Sequence, residues 1–153
     1  MIILIYFGIV WIIDQEHRLI LNTLIVAGLI LGLISGTLRN GPLPTLIGGL
    51  SGLTFMLILY LFGYLFVWLM HRWRQTDLNE AAMGFGDVLL GAVIGLLLGF
   101  PEIIQSLTLT IIAAGLFSLT YMLVMLLTRR YRLGTAFPYG PFLIIGAIYF
   151  IYF

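Results

Sequence analysis

The chain has 153 residues, of which 62% are hydrophobic and only 8% are charged. Soluble domains carry about a quarter of charged residues, so this composition indicates an integral membrane protein. A net charge of +1 is too small to indicate a basic surface that binds nucleic acid. The absence of cysteine excludes disulfides, thiolate metal sites and thiol nucleophiles.

Six apolar segments follow one another along the chain, and each is predicted to be a helix because an open sheet would leave backbone groups unpaired in lipid. The segments are Met1–Ile13, Leu19–Leu38, Thr45–Met70, Val88–Phe100, Ile103–Thr128 and roughly Ala136–Phe153. The first and fourth have 13 residues, so each must extend into flanking polar sequence or stop part-way through a bilayer. We therefore expect one all-α, six-helix transmembrane domain over residues 1–153.

Arginines are distributed unevenly between the two faces that these segments define. Six of the seven lie on one face, at positions 18, 72, 74, 129, 130 and 132, and only Arg39 lies on the other. The positive-inside rule makes the arginine-rich face cytoplasmic. This topology predicts a multi-pass protein of the cell membrane, with Asp14 and Asp87 together at the cytoplasmic ends of the first and fourth segments.

Glycines recur at every fourth position on two segments. Gly28, Gly32 and Gly36 form one stripe on the second segment, and Gly91, Gly95 and Gly99 form another on the fourth. Such stripes allow helix backbones to approach closely. They predict a tightly packed core beneath the two aspartates.

Two aspartates are the residues that most strongly indicate chemistry. A carboxylate at membrane depth costs roughly 2.5–3.5 kcal/mol, so Asp14 and Asp87 each mark a candidate functional site. Gly84 and Gly86 flank Phe85 just before Asp87, which predicts an unusual turn that a substrate can approach closely. Two nearby carboxyls would share one proton and act as acid and base without a metal or cofactor. The alternative is that each acid merely caps a helix.

Four sequence elements together resemble the type IV prepilin peptidase and preflagellin peptidase family. Gly84–Asp87 resembles its GxGD signature, and Glu80–Met83 resembles the lead-in to that motif. Asp14–Asn22 resembles the first aspartate motif of the family, and Ala136–Leu143 resembles a late element that opens its last helix. The resemblance covers nearly the whole chain.

This resemblance implies a GxGD-type helical bundle that acts as a membrane aspartyl endopeptidase. The expected substrate is a prepilin-like precursor, such as a type IV pilin, pseudopilin or archaellin, whose short basic leader is cut at the cytoplasmic face. The resemblance also implies that Pro138, Gly140 and Pro141 frame the cleft, while Glu16 and Glu80 are candidates for contact with the basic leader. It implies no cofactor and leaves the oligomeric state open.

Two positions depart from the family pattern. Leu21 stands where the family usually has proline, and Leu89 stands where it usually has lysine. Bifunctional members also carry a methylation region with paired cysteines, which this sequence lacks. The resemblance therefore implies a peptidase core alone.

Other functions remain open at this stage. A small transporter could use Asp14 and Asp87 as a proton or cation relay, although both acids lie at one interface and the halves show no repeat. An inactive family member could serve as an assembly scaffold. Ser51, in a Gly-x-Ser-Gly sequence, resembles a rhomboid nucleophile, but His17 and His71 are expected on the opposite side of the membrane.

Overall fold

A computed structural model describes residues 1–17, 22–74, 84–127 and 140–152, and all the regular secondary structure in these ranges is helical. The helices are α1 (Ile2–His17), α2 (Asn22–Asn40), α3 (Pro42–Arg74), α4 (Phe85–Leu98), α5 (Glu102–Leu127) and α6 (Gly140–Tyr152). The prediction of an all-helical chain with six helices is confirmed for this part of the sequence.

The helix bounds differ from the predicted segments by up to four residues at either end. α1 continues past Ile13 to His17, so Asp14 lies inside the helix rather than after it. α4 begins at Phe85, three residues before the predicted start, and ends at Leu98. α3 is the longest described helix, with 33 residues, because no glycine or proline separates its apolar run from the polar residues His71–Arg74.

Glycine and proline determine where two of the helices end. Gly41 has φ +87°, and its N–H donates to the carbonyl of Thr37, which terminates α2 as a left-handed cap. Pro42 then begins α3, where its missing N–H costs no hydrogen bond. Gly99, with φ +76° and ψ 177°, ends α4, and its N–H donates to the carbonyl of Gly95.

Helix α4 lies at the centre of the bundle. Ten of its 14 residues are buried, and it packs against α2, α3, α5 and α6. At about 21 Å it is too short to span the hydrocarbon layer alone. Its surroundings are therefore mainly other helices rather than lipid, and this position brings Asp87, in its first turn, into the protein interior.

The tightest helix pair is α3 with α4, and glycines on both helices make the close approach possible. A Cβ added to Gly52 would collide with the carbonyl oxygen of Gly91, and one added to Gly95 would collide with that of Gly48. The predicted glycine stripe on α4 thus packs against Gly48 and Gly52 of α3. This contact fixes the position of α4, and with it Asp87.

The glycine stripe on α2 also packs against α4, beside the contact with α3. A Cβ on Gly36 would collide with the carbonyl oxygen of Leu96, and one on Gly32 would lie 3.2 Å from that of Val93. At the far end of the pair, the side-chain amide of Asn40 donates to the carbonyls of Leu97 and Leu98 at 3.4 and 2.7 Å. Asn40 therefore caps the C-terminus of α4 from a neighbouring helix.

Three helices have the length and apolar composition needed to cross a membrane: Thr23–Asn40, Pro42–Leu69 and Glu102–Met125. The other three, Ile2–Asp14, Phe85–Leu98 and Gly140–Tyr152, are apolar but shorter. Many large hydrophobic side chains on the outside are exposed, including Phe62 and Leu116. Such an extensive apolar surface is typical of lipid contact.

Candidate active site

Asp14 lies in the last turn of α1 and faces the interior of the bundle. Its side chain is 7% exposed, whereas Ile12, two residues earlier, is 64% exposed. The Oδ2 atom is buried and has no hydrogen-bond partner within the described ranges. An acid in the last helical turn gains nothing from the helix dipole, so a capping role does not account for Asp14.

Asp87 lies in the first turn of α4, where an acid is favourable. Gly84 is the N-cap, with extended φ −76° and ψ 143°, and its carbonyl accepts a hydrogen bond from the N–H of Asp87 at 3.1 Å. Phe85 and Gly86 are already helical. The GxGD segment is thus a helix start rather than the unusual turn that its glycines suggested, and Gly84 has no positive φ.

The structure brings the two aspartates together at the first residue of α6. An ideal Cβ built on Gly140 would lie 2.6 Å from Oδ2 of Asp14 and 3.7 Å from Oδ1 of Asp87. These two oxygens are therefore no more than roughly 6 Å apart, the sum of those distances, which is within reach of one bridging water. Three helix ends, of α1, α4 and α6, form the site.

Burial and proximity together determine how this pair ionises. Asp14 and Asp87 are 7% and 9% exposed, so little solvent screens one carboxyl from the other. Two close carboxyls in such a place cannot both ionise easily, because the charge on one disfavours ionisation of the other. One member can then accept a proton while the other donates one, which is what general acid–base catalysis requires.

The remaining predicted site residues lie at varied distances from this pair. Gly140 and Pro141 are buried at the start of α6. Phe85 is 55% exposed, and its ring lies 6.0 Å edge-on from Tyr60 of α3, a neighbour that the sequence did not indicate. Glu16 belongs to α1. Glu80 and Pro138 lie outside the described residues, as does Leu21.

Ser51 lies away from the carboxyl pair. Its hydroxyl donates to the carbonyl of Ile47 at 2.7 Å, within its own helix. It borders an apolar cavity of about 460 Å³ between α3 and α5, whose other lining side chains include Thr54 and Leu107 but no histidine or acid. Nothing in this cavity could activate the serine as a nucleophile.

No group of three or more histidine, aspartate or glutamate side chains forms a metal-binding cluster in the described ranges.

The model of the Type IV leader peptidase family matches residues 1–119, which include both Asp14 and Asp87. The chain belongs to this family. The match to the type IV leader peptidases ends before Gly140, so the role of α6 rests on geometry.

Three curated relatives have the name prepilin leader peptidase/N-methyltransferase. The protein from Pseudomonas aeruginosa is 32% identical over 135 residues, and that from Pseudomonas putida is 29% identical over 136. The protein from Stutzerimonas stutzeri is 31% identical over 134 residues. Each alignment covers 88% of this chain but only 42% of the relative, so the chain spans less than half the length of these proteins. No solved structure matches the chain.

Proposed function

We propose that this chain is a membrane aspartyl endopeptidase that removes the short basic leader from prepilin-like precursors, with Asp14 and Asp87 as its catalytic dyad. The observation that carries the proposal is the convergence of two buried carboxyls, from opposite ends of α1 and α4, beside Gly140. Membership of the type IV leader peptidase family supports the same reaction class. The names of the relatives support a prepilin-type substrate.

The proposed reaction uses the single shared proton of the dyad. The ionised carboxylate takes a proton from a water molecule as the water oxygen attacks the peptide carbonyl. The protonated carboxyl donates to the developing oxyanion, which gives a tetrahedral gem-diol. The first carboxyl then gives the proton that it took from water to the leaving amine as the C–N bond breaks, and a gem-diol hydroxyl returns its proton to the second carboxylate as the product carbonyl forms. Both groups return to their starting protonation states, and no cofactor is consumed.

The proposed active site faces the cytoplasm, and the substrate leader reaches it from that side. Arg72 lies near the end of α3 that extends past the dyad, whereas Arg39 lies at the opposite end of the bundle and donates to the carbonyl of Ile151. The positive-inside rule favours the Arg72 end as cytoplasmic. A basic leader would approach there, and the resemblance to the family makes Glu16 and Glu80 candidates to attract it.

The catalytic proposal is tested with the purified protein and a prepilin-like precursor. Asp14→Asn and Asp87→Asn should each lower the cleavage rate by about 10²–10⁴-fold, because each removes one acid–base group while keeping its shape. Glu102→Gln is the matched control, since Glu102 is a partly buried acid at the start of α5, next to the far end of α4. Its cleavage rate should remain at the wild-type level.

Retained cleavage in either aspartate variant would refute the dyad. Absence of cleavage by the wild-type chain, for every prepilin-like precursor tried, would favour the scaffold alternative. Proton or cation flux in vesicles that depends on Asp14 and Asp87, without cleavage, would favour the transporter.

The orientation is tested separately by cysteine labelling, for which the native chain gives no background because it lacks cysteine. Arg72→Cys and Arg39→Cys place single thiols at two exposed positions on opposite ends of the bundle. A membrane-impermeant maleimide applied to intact cells should label Arg39→Cys and leave Arg72→Cys unmodified. The reverse pattern would contradict a cytoplasmic active site.

A further inference from the structure

Gly140, the first residue of α6, is the point at which a backbone touches the candidate dyad. An added Cβ would lie 2.6 Å from Oδ2 and 3.3 Å from Cγ of Asp14, where ordinary contacts are 3.4–4 Å. The same Cβ would lie 3.7 Å from Oδ1 of Asp87. Any side chain here would therefore press on Asp14 and touch Asp87.

The requirement for glycine at this position is one of space, not of backbone conformation. Gly41 and Gly99 are the described glycines with positive φ, so Gly140 has a backbone that alanine also adopts without strain. The effect of Gly140→Ala is thus confined to one methyl group against a carboxylate. Gly140→Ala therefore tests a steric contact without adding backbone strain.

Helix α6 packs closely against α5 on the residues that follow Gly140. The Thr110 hydroxyl donates to the carbonyl of Ser106 at 2.9 Å and lies 3.4 Å from that of Phe142, two residues after Gly140. Further along, an added Cβ on Gly146 would collide with Thr110, which shows how closely α5 and α6 pack. We therefore expect the strain to be relieved mainly by Asp14, whose Oδ2 has no hydrogen-bond partner among the described residues.

We propose that Gly140 is a positioning residue whose bare α-carbon lets the Asp14 carboxylate lie against α6 and face Asp87. The inference rests on the proposed function, because it assigns Gly140 a role through the dyad. The α-carbon of Gly140 limits where the Oδ2 atom of this buried carboxylate can lie. Gly140 itself takes no part in proton transfer.

The test compares Gly140→Ala with Gly8→Ala and Gly115→Ala, in which the added Cβ meets no atom within 4 Å. Gly8 lies on α1 with Asp14, and Gly115 lies on α5, so both controls also account for the higher helix propensity of alanine. Cleavage of a prepilin-like precursor is measured as kcat and KM across pH, and thermal unfolding is measured in detergent.

We expect Gly140→Ala to lower kcat by about 10²-fold, because a shift of roughly 1 Å in a reacting group has that effect. KM and the unfolding temperature should remain near those of the controls. The two apparent pKa values in the pH profile of kcat should also shift, because the separation between them depends on how strongly the two carboxyls interact. A substitution that only weakened packing would leave both values in place.

The outcomes separate this inference from the proposed function. Dyad-dependent cleavage that Gly140→Ala leaves at the control rate would overturn the positioning role alone. Loss of cleavage together with unfolding at the assay temperature would assign Gly140 to packing and would also overturn it. Cleavage that survives Asp14→Asn would remove the dyad, and with it the basis of the inference.

Discussion

Replacement of Gly95 by alanine tests whether the glycine contact between α3 and α4 positions Asp87 in the candidate active site. The added Cβ would collide with the carbonyl oxygen of Gly48, and it would lie 2.8 Å from the carbonyl carbon of Gly48 and 3.0 Å from Cα of Gly49. These neighbours are backbone atoms of α3, so no side-chain rotation can relieve the contact. The two helices must separate by roughly 1 Å to restore van der Waals distances.

This separation has two consequences of different size. Overpacking of this kind costs about 1–3 kcal/mol of stability, which lowers the unfolding temperature without abolishing the fold. Asp87 is carried by the same helix as Gly95, two turns away, and moves with it. Because a displacement of about 1 Å can lower a rate by roughly 10²-fold, cleavage should fall more than stability does.

The assay is precursor cleavage in detergent, at a temperature well below the unfolding midpoint, with thermal unfolding followed in parallel. Gly115→Ala is the control, because its Cβ would enter open space on α5. If Gly95→Ala cleaved and unfolded like Gly115→Ala, the helix contact would not be as close as the structure has it. The reasoning about how α4 positions Asp87 would then fail.

Two further substitutions probe contacts remote from the carboxyl pair. Asn40→Ala removes the two hydrogen bonds to the last carbonyls of α4 and should destabilise the protein by about 1–3 kcal/mol in thermal unfolding, with cleavage nearly unchanged at low temperature. Tyr6→Phe removes the hydrogen bond from the phenol to the carbonyl of Leu24, 3.1 Å long, and should cost only about 1 kcal/mol, because that carbonyl keeps its place in α2. Gly28→Ala should cost more than Tyr6→Phe, since its Cβ would collide with the tyrosine ring. Equal effects of these two variants would contradict the packing of α1 on α2.

The sequence was sufficient for the helices and for the existence of close packing, but not for the helix pairs. Both glycine stripes were visible, and both do allow close approach. Their partners were not visible, because every face of a membrane helix is apolar and hydrophobic periodicity carries little information there. Gly48 and Gly52 were therefore missed as the partners of Gly95 and Gly91. Asn40 was missed because a cap from another helix leaves no local pattern.

The two acids of the candidate site could be predicted from the sequence, because aspartate is rare within apolar membrane segments. Asp14 and Asp87 were identified because acids are costly there, and topology placed them at one end of the bundle. The conformation of the GxGD segment was predicted wrongly, since glycine permits a turn without requiring one. The segment continues as a regular first turn of α4.

The structure suggests that apolar packing, rather than polar contacts, orients the two acids. Oδ2 of Asp14 has no described hydrogen-bond partner, and its position is limited by the α-carbon of Gly140. Asp87 is carried by a helix that glycine contacts hold against α3 and α2. A strong donor beside either acid would favour the ionised form and weaken the sharing of one proton. Small residues leave that balance intact while fixing the geometry, so activity should respond more sharply to an added methyl group at Gly140 or Gly95 than to the loss of a surface charge.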